Sequence, residues 1–397
     1  MPDFGASELA TRIEKLQSVM AAKDIDWAIL SQNSDIYYYT GSMQPLYAVI
    51  PASGVPFVLA RKAINRIQDE VGQMPMEAFL GGREMLEILQ RRGVIPAARV
   101  GFTLDTLSYI AVTRFQRSLG DAEIVDLSWD IRMLRAVKSD AEIAIQTRAA
   151  GMMTEVPQLL RTRFRPGMTE LELAAAMENH FRLKGHCALI RCRREGVEMS
   201  GLGVLSSGVN SLAGTKFEGI CGGAGISPAV PYGAGLSRIE KGVPVIVDFA
   251  FNLDGYIVDQ TRMFSWGAPS DEVTKAYDSM VEVERMVLES LRPGKPWEVV
   301  YDEAVALATQ MGYADSFMGF GTEKVKFIGH GVGLELDEPP FLAPGMPDPL
   351  VEGMVLAVEP KVGMPGVGVI GIEDTVVIRS SGCENLTMCD PAFIVID

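Results

Sequence analysis

Apolar residues in the first third of the chain alternate between helix spacing and strand spacing. One group recurs every three or four residues, as on one face of a helix: Leu9, Ile13, Leu16 and Met20. Other stretches have the short apolar runs of strands: residues 27–30, 48–60, 98–101 and 123–127. Pro and Gly interrupt the second of these at 51–54, which predicts a hairpin. The pattern therefore predicts a compact α/β domain over residues 1–137.

A different pattern begins at residue 138, where long amphipathic helices become dominant. Ser139 and Glu142 have the S-x-x-E spacing of a capping box, which predicts the start of the first of these helices. The phrase Arg-Pro-Gly follows a helix at residues 165–167 and again at 292–294. We interpret it as a weak internal duplication about a pseudo-two-fold axis; a common turn phrase that occurs twice is the alternative. We predict a second domain over residues 138–397.

Composition and charge narrow the classes of function. The chain has 397 residues, 48% of them hydrophobic and 22% charged, as in ordinary globular proteins. A net charge of -15 argues against nucleic acid and anionic membranes as partners. The N-terminal sequence lacks the basic and apolar segments of an export signal, and the five cysteines are too scattered for a disulfide framework. We therefore expect a cytoplasmic protein with reduced thiols; a bond between Cys383 and Cys389, which flank a short polar loop, is the alternative.

The segment VDFAFNLDGYIVDQT, residues 247–261, carries the first candidate chemistry. Its Asp-Gly dipeptide predicts a tight hairpin turn, which would place Asp248 opposite Thr261 and Asp259 opposite Ala250. The two aspartates then share one face of the sheet as diagonal neighbours, about 7–8 Å apart. Two carboxylates converging among apolar neighbours need a positive partner, and a metal ion is the simplest. Two solvent-facing aspartates on an edge hairpin are the alternative.

Three further residues extend this set. His330 is flanked by glycines, Glu359 ends an apolar strand, and Glu373 lies inside a strand-like segment. Four carboxylates and one imidazole suit two divalent ions of manganese, iron, cobalt or zinc. Two ions about 3.5–4 Å apart can share a water and lower its pKa, which favours hydrolysis of a carbonyl compound. His180 and His186 are interpreted as structural or surface groups.

Motifs along the whole chain carry a resemblance to a known family. They are NSDIYYYTG at 33–41, the two aspartates with DQTRMF at 259–264, GHGVGLELDEPP at 329–340, VEP at 358–360 and GIED at 371–374. In this order they resemble the pita-bread metallopeptidases, a superfamily that includes methionine aminopeptidase, aminopeptidase P, prolidase and creatinase. The first motif is typical of the creatinase/prolidase-type N-terminal domain.

The resemblance implies an α/β chain of two domains, usually a homodimer, with a pseudo-two-fold pita-bread catalytic domain at residues 138–397. It implies a dinuclear metal site, which manganese would most commonly fill, with cobalt, zinc or iron as alternatives. It further implies that Glu359 handles protons while a metal-bridging hydroxide attacks the substrate, and that Asp259 and Glu373 lie on opposite sides of the metal pair. The implied ligands are Asp248, Asp259, His330, Glu359 and Glu373.

Two positions depart from the family pattern, and both concern substrate binding. Relatives usually keep histidines where this chain has Tyr232 and Asp337. Tyr232 can donate a hydrogen bond to an oxyanion. Asp337 would favour a cationic group such as a free amine, or it is a solvated loop acid. The glycine-rich segment 208–231 is longer than expected, which predicts a loop over the pocket mouth or a surface insertion.

These features predict a dinuclear-metal hydrolase that acts on a small peptide or an amine-bearing small molecule. The leading hypothesis is an Xaa-Pro dipeptidase or aminopeptidase P-like peptidase. A creatinase-like enzyme that cleaves a non-peptide C–N bond is the second hypothesis. A binding protein that keeps the fold without the chemistry is the third.

Overall fold

The computed structural model describes residues 5–95, 99–194, 199–217 and 219–397. The chain forms two compact units, Met1–Arg135 and Ala136–Asp397. Within the described ranges, every helix is too short or too polar to cross a membrane.

The first unit contains one mixed six-stranded sheet with helices between its strands. The strand order is β4-β3-β2-β1-β5-β6, with β1, β2 and β3 antiparallel and the outer pairs parallel. Its elements are α1 (Ala6–Ala22), β1 (Trp27–Leu30), α2 (Asn33–Thr40), β2 (Tyr47–Pro51), β3 (Phe57–Ala60), α3 (Ile64–Val71), β4 (Met76–Ala78), α4 (Gly82–Arg91), β5 (Arg99–Phe102), α5 (Tyr109–Leu119), β6 (Glu123–Asp126) and α6 (Ser128–Ala136).

The sequence pattern predicted several of these elements. Helix α1, strand β1, the β2–β3 hairpin and strand β6 are confirmed. The predicted strand at 98–101 corresponds to β5, although residue 98 lies outside the described residues. Ile29, Val100 and Phe102 are buried in the core of this unit, as expected for short apolar strands covered on both faces.

The second unit is built on two larger sheets, ordered β19-β11-β10-β9 and β13-β12-β14-β17-β18, with two short hairpins, β7–β8 and β15–β16. Its elements are α7 (Asp140–Met153), α8 (Val156–Arg163), α9 (Glu170–Leu183), β7 (Leu189–Ile190), β8 (Met199–Ser200), β9 (Gly203–Ser207), β10 (Pro244–Leu253), β11 (Tyr256–Trp266), α10 (Asp271–Ser290), α11 (Trp297–Gln310), β12 (Gly329–Gly331), β13 (Glu338–Phe341), β14 (Val355–Val358), β15 (Lys361–Met364), β16 (Gly368–Gly371), β17 (Asp374–Arg379), β18 (Gly382–Asn385) and β19 (Ile394–Ile396).

The two Arg-Pro-Gly phrases adopt the same local structure. Gly167 and Gly294 have φ of 90° and 86°, a left-handed conformation that glycine adopts without strain. Two residues further on, Thr169 and Pro296 each form an isolated antiparallel bridge just before a helix begins. This local match supports the interpretation of a duplicated unit. The capping box predicted at Ser139 is confirmed at the start of α7.

Strand β10 has two faces of different character. Val245, Val247, Phe249 and Phe251 belong to the main hydrophobic core of the second unit. Asp248 alternates with them and therefore points away from that core. The alternation explains how an apolar strand accepts a carboxylate: the acid lies on the opposite face, where Asp248 and Ala250 line a cavity.

His186 follows α9 and has a structural role. The buried imidazole accepts a hydrogen bond at Nδ1 from the Asn252 backbone N–H (3.0 Å), and its Nε2 lies 2.8 Å from the Gly201 carbonyl oxygen. Only the neutral ring with a proton on Nε2 satisfies both contacts. Burial lowers the pKa of His186, and this outweighs the opposite effect of the bond to Gly201.

This lowered pKa predicts that acidification destabilises the fold through His186. The unfolded chain binds the proton first, since its histidine pKa is about 6.5, so stability falls as the pH drops below that value. His186→Gln keeps one acceptor and one donor but cannot titrate. Thermal unfolding at pH 7.5 and pH 5.5 should therefore show a smaller pH-dependent loss in the variant than in the wild type. Equal losses in both proteins would contradict this role.

Candidate metal centre and pocket

The hairpin β10–β11 has the predicted register. Asp248 lies opposite Thr261, and Asp259 lies opposite Ala250. The turn contains Asp254 with a positive φ of 53°, followed by a glycine that is also left-handed, as a two-residue hairpin turn requires. The two aspartates consequently face the same side of the sheet.

Three other loops and strands bring the remaining candidate ligands to this face. His330 is the middle residue of β12, Glu359 directly follows β14, and Glu373 directly precedes β17. An isolated bridge between Thr261 and Glu373 connects the two sheets at this point. The structure therefore places all five predicted metal ligands around one location.

The glycine after His330 has a steric reason. A Cβ atom at Gly331 would lie 2.2 Å from the carbonyl oxygen of Pro339 on the neighbouring strand. Only glycine allows strands β12 and β13 to approach this closely. This close approach holds β12, and with it His330, in position against β13.

Lys361, at the start of β15, enters the same cluster. Its ammonium group donates hydrogen bonds to three of the carboxylates: Asp248 at 3.1 Å, Glu359 at 2.7 Å and Glu373 at 3.0 Å. The side chain is 2% exposed. Burial alone would lower the pKa of Lys361, but these acids raise it well above its ordinary value, so the group is charged.

The pKa values of the acids and of the imidazole are shifted because these groups are buried and lie close together. Burial, followed by the charge of Asp248, raises the pKa of Asp259 to about 7. Burial opposes protonation of His330, but the hydrogen bond and charge of Glu359 raise its pKa to about 10. Burial also acts to raise the pKa of Glu359, yet Lys361 and His330 lower it to about 2. Four carboxylates crowd around these two cationic side chains, and the repulsion between the acids favours a further cation at the centre.

The donor set fits one divalent ion. One ligand atom each from Asp259, His330 and Glu373 lies within 4.8 Å of the others, which suits an ion bonded to all three at about 2.0–2.2 Å. Glu359 Oε1 lies 3.4 Å from His330 Nε2 and can supply a fourth donor. Oxygen donors with one imidazole suit manganese, iron, cobalt or zinc. The expectation of a second ion stays a prediction.

A buried arginine supports the strand that carries Glu373. Arg262 Nη1 donates to the backbone carbonyls of Thr261 and Glu373, both at 2.9 Å. Its Nη2 donates to Asp374 Oδ1 at 2.8 Å and to the Cys389 carbonyl at 2.9 Å. The Thr261 hydroxyl also donates to the Glu373 carboxylate, at 2.7 Å. These contacts fix both the backbone and the side chain of Glu373.

The candidate ligands form one end of a cavity of about 630 Å³. Tyr232 and Asp337, the two residues that depart from the family pattern, both line this cavity. The Tyr232 ring packs edge-on against Phe217, with ring centroids 4.8 Å apart. Apolar side chains form part of the remaining wall: Phe217, Ile220, Phe327, Phe341 and Met346. Three cationic residues also line the cavity: Arg194, Lys324 and Lys326.

The glycine-rich segment 208–231 contributes to this wall, as predicted for a loop at the pocket mouth; residue 218 lies outside the described residues. Buried Glu170 anchors both ends of the segment. Its carboxylate accepts hydrogen bonds from the backbone N–H of Ser207 at 2.6 Å, the side chain of Asn210 at 2.7 Å and the backbone N–H of Gly235 at 2.9 Å. The loop is therefore tied to helix α9.

Two family models match the chain. The model described as Metallopeptidase family M24 matches residues 144–380, which include every candidate metal ligand. The chain belongs to metallopeptidase family M24. The model described as Creatinase/Prolidase N-terminal domain matches residues 12–137. Membership in the M24 family confirms the predicted resemblance, fold class and peptidase activity, and it implies the use of divalent metal ions.

Relatives resemble this M24 chain along almost its full length. The Xaa-Pro dipeptidase of Pyrococcus furiosus is 26% identical over 380 residues, which cover 95% of this chain and 97% of the relative. The solved Xaa-Pro dipeptidase from Bacillus anthracis has a TM-score of 0.82 at 24% identity and covers 98% of this chain and 100% of its own. Dipeptidase PepE from Mycobacterium ulcerans has a TM-score of 0.81 at 24% identity, with 99% of both chains covered. These two structures share the fold of the M24 chain.

Sequence reasoning missed Lys361. The signal was present: a lysine two residues after Glu359, followed by the apolar residues Val362 and Met364. Pro360 interrupts the strand between the two charged residues, which hides the alternation that places them on one side.

Proposed function

We propose that this M24 metallopeptidase hydrolyses dipeptides of the Xaa-Pro type. The observation that carries the proposal is the cluster of Asp259, His330 and Glu373 at the end of a cavity large enough for a dipeptide. The relatives named Xaa-Pro dipeptidase, which match this chain over nearly its whole length, support the choice of substrate.

The proposed metal ligands are Asp259, His330, Glu359 and Glu373, with Asp248 beside them. A bound divalent ion would act as a Lewis acid and lower the pKa of water at the centre. Glu359 borders both the ligand cluster and the cavity. Its carboxylate is proposed to accept a proton during the attack and return it to the leaving nitrogen.

Two parts of the cavity wall match the chemistry of an Xaa-Pro dipeptide. Asp337 provides a carboxylate for the free ammonium group of the substrate, in line with the charge preference expected from the sequence. Phe327, Phe341 and Met346 provide an apolar surface for a proline ring. Tyr232 is proposed to donate a hydrogen bond to the oxygen of the scissile carbonyl.

A dipeptide panel with metal control tests the proposal. Ala-Pro and Met-Pro should be cleaved, whereas Pro-Ala and Ala-Ala should be cleaved much more slowly. EDTA should abolish the activity, and added Mn²⁺ should restore it. Full activity in the presence of EDTA, or no preference for proline in the second position, would contradict the proposed function.

Tyr232→Phe should lower kcat by roughly 100-fold, because the hydroxyl stabilises an oxyanion that exists only during the reaction. KM should change little, since the ring and its packing against Phe217 remain. Steady-state kinetics on Ala-Pro measures both constants. Phe217→Leu serves as the matched control: it disturbs the packing but keeps the hydroxyl, and its kcat should stay within a few-fold of the wild type. An unchanged kcat in Tyr232→Phe would remove the residue from the proposal.

A second candidate function keeps the fold but uses a non-peptide substrate, as creatinase does. It is favoured by the presence of Tyr232 and Asp337 in the cavity, where relatives usually have histidines. The Asp337 carboxylate suits an amine or amidine group. Creatine and related guanidino compounds added to the same panel distinguish the two functions, because efficient cleavage of Xaa-Pro dipeptides contradicts this second candidate.

Three finer expectations belong to the same proposal. Manganese is the proposed ion, since three or more carboxylate oxygens surround a single imidazole. A cytoplasmic location is supported by the five cysteines, all of which are free thiols. The proposed homodimer rests on the family resemblance alone. Elemental analysis of the purified protein tests the metal, and light scattering after gel filtration tests the dimer.

A further inference from the structure

A lysine ammonium group lies among the metal-ligand carboxylates. Lys361 Nζ is within 3.1 Å of oxygens from Asp248, Glu359 and Glu373, and the lysine side chain is almost fully buried. A buried cation with three carboxylate partners satisfies all three of its N–H donors. These oxygens are therefore already bound to a positive group.

The surrounding strands hold the lysine in this position. Lys361 pairs with Gly371 in the β15–β16 hairpin. A Cβ atom at Gly371 would lie 2.4 Å from Lys361 Cγ and 2.6 Å from the Pro360 carbonyl oxygen, so only glycine fits beside the lysine and its backbone. The backbone N–H of Lys361 also contacts Met318 Sδ at 3.4 Å. The ammonium position is thus built into the hairpin.

The ligands surround two cation positions: one where a metal ion fits and one that the Lys361 ammonium group occupies. Asp259 and His330 lie on the side where a metal ion fits, and no hydrogen bond to Lys361 involves either of them. Asp248 lies on the other side, where its carboxylate accepts from Lys361. Glu359 and Glu373 border both positions. Any second divalent ion beside Asp248 would have to share these oxygens with the ammonium group, against the repulsion of two adjacent cations.

We propose that this chain binds one divalent ion, held by Asp259, His330, Glu359 and Glu373, and that the Lys361 ammonium group replaces a second ion beside Asp248. The ammonium and one ion together would supply about three positive charges against the charges of four carboxylates. The inference rests on the proposed metal centre but not on the proposed substrate.

Metal stoichiometry tests this inference with the full-length protein. Equilibrium dialysis against Mn²⁺, followed by elemental analysis, should give about one ion per wild-type chain, where a dinuclear centre would give about two. Lys361→Ala should raise the value to about two. Lys326→Ala is the matched control: Lys326 lines the same cavity but is exposed at its mouth, and its removal should leave the value at about one.

Electron paramagnetic resonance of the wild-type protein gives an independent result that does not require the variant to fold. A single Mn²⁺ should give an uncoupled spectrum at saturation, whereas two ions about 3.5–4 Å apart would be magnetically coupled. Two ions per wild-type chain, a coupled spectrum, or a folded Lys361→Ala that still binds one ion would overturn the inference. An absence of bound metal would instead contradict the proposed function, so the two failures are distinguishable.

Discussion

Glu373→Ala should abolish metal binding and lower kcat by roughly 1,000-fold or more. The Glu373 carboxylate belongs to the three-residue cluster that can hold an ion, and it is 1% exposed. Its loss removes one ligand and leaves the Thr261 hydroxyl without its carboxylate partner. Metal ions commonly contribute several kcal/mol of transition-state stabilisation, which corresponds to about three orders of magnitude in rate.

Two measurements on Glu373→Ala separate metal loss from misfolding. Elemental analysis after dialysis gives the metal content, and circular dichroism shows whether the fold is retained. Glu352→Ala is the control, because Glu352 is an exposed acid in the loop before β14 and should keep both metal and activity. A folded Glu373→Ala protein with full metal content and full activity would contradict the assignment of Glu373 as a ligand.

Arg262→Met should destabilise the second unit by about 3–5 kcal/mol, as expected when one member of a buried ion pair is removed. Arg262 is fully buried and donates to the Asp374 carboxylate and to several backbone carbonyls. Methionine has a similar length but no donor, so the Asp374 charge would lose its partner. For a unit of this size the melting temperature should fall by roughly 10 °C.

A double substitution shows whether the cost comes from the unpaired charge. Arg262→Met combined with Asp374→Leu removes both charges and should recover part of the lost melting temperature, since apolar replacement of a whole buried pair is often tolerated. Differential scanning calorimetry on the wild type, both single variants and the double variant gives the coupling. A loss of less than about 1 kcal/mol in Arg262→Met would contradict a supporting role for this arginine.

Local rules predicted the parts of the site that lie within one hairpin. The Asp-Gly turn fixes the register of β10 and β11, and the register places Asp248 and Asp259 on one face. The turn and the alternation both act over neighbouring residues, so the sequence contains all the information needed. The helix start at Ser139 was predictable for the same reason, because a capping box is complete within four residues.

The same rules could not predict contacts between segments that lie far apart in the sequence. Arg262 donates a hydrogen bond to Asp374, which lies more than a hundred residues later in the chain, and nothing near Arg262 in the sequence indicates that partner. The order of the strands in the first unit is a similar case, since β1 lies between β2 and β5. Short apolar runs predict that strands form, but the choice of neighbour depends on how their faces pack together.

The contact between Gly371 and Lys361 gives a residue without functional groups an influence on the charge of the site. A Cβ atom at Gly371 would lie 2.4 Å from Lys361 Cγ, 2.6 Å from the Pro360 carbonyl oxygen and 2.7 Å from Lys361 Cα. Two of these three contacts are with the backbone, so a smaller side chain at position 361 would not relieve them. Position 371 is therefore restricted to glycine whichever residue occupies position 361, and a substitution there would act on the metal centre from outside it, by displacing the backbone that carries Lys361.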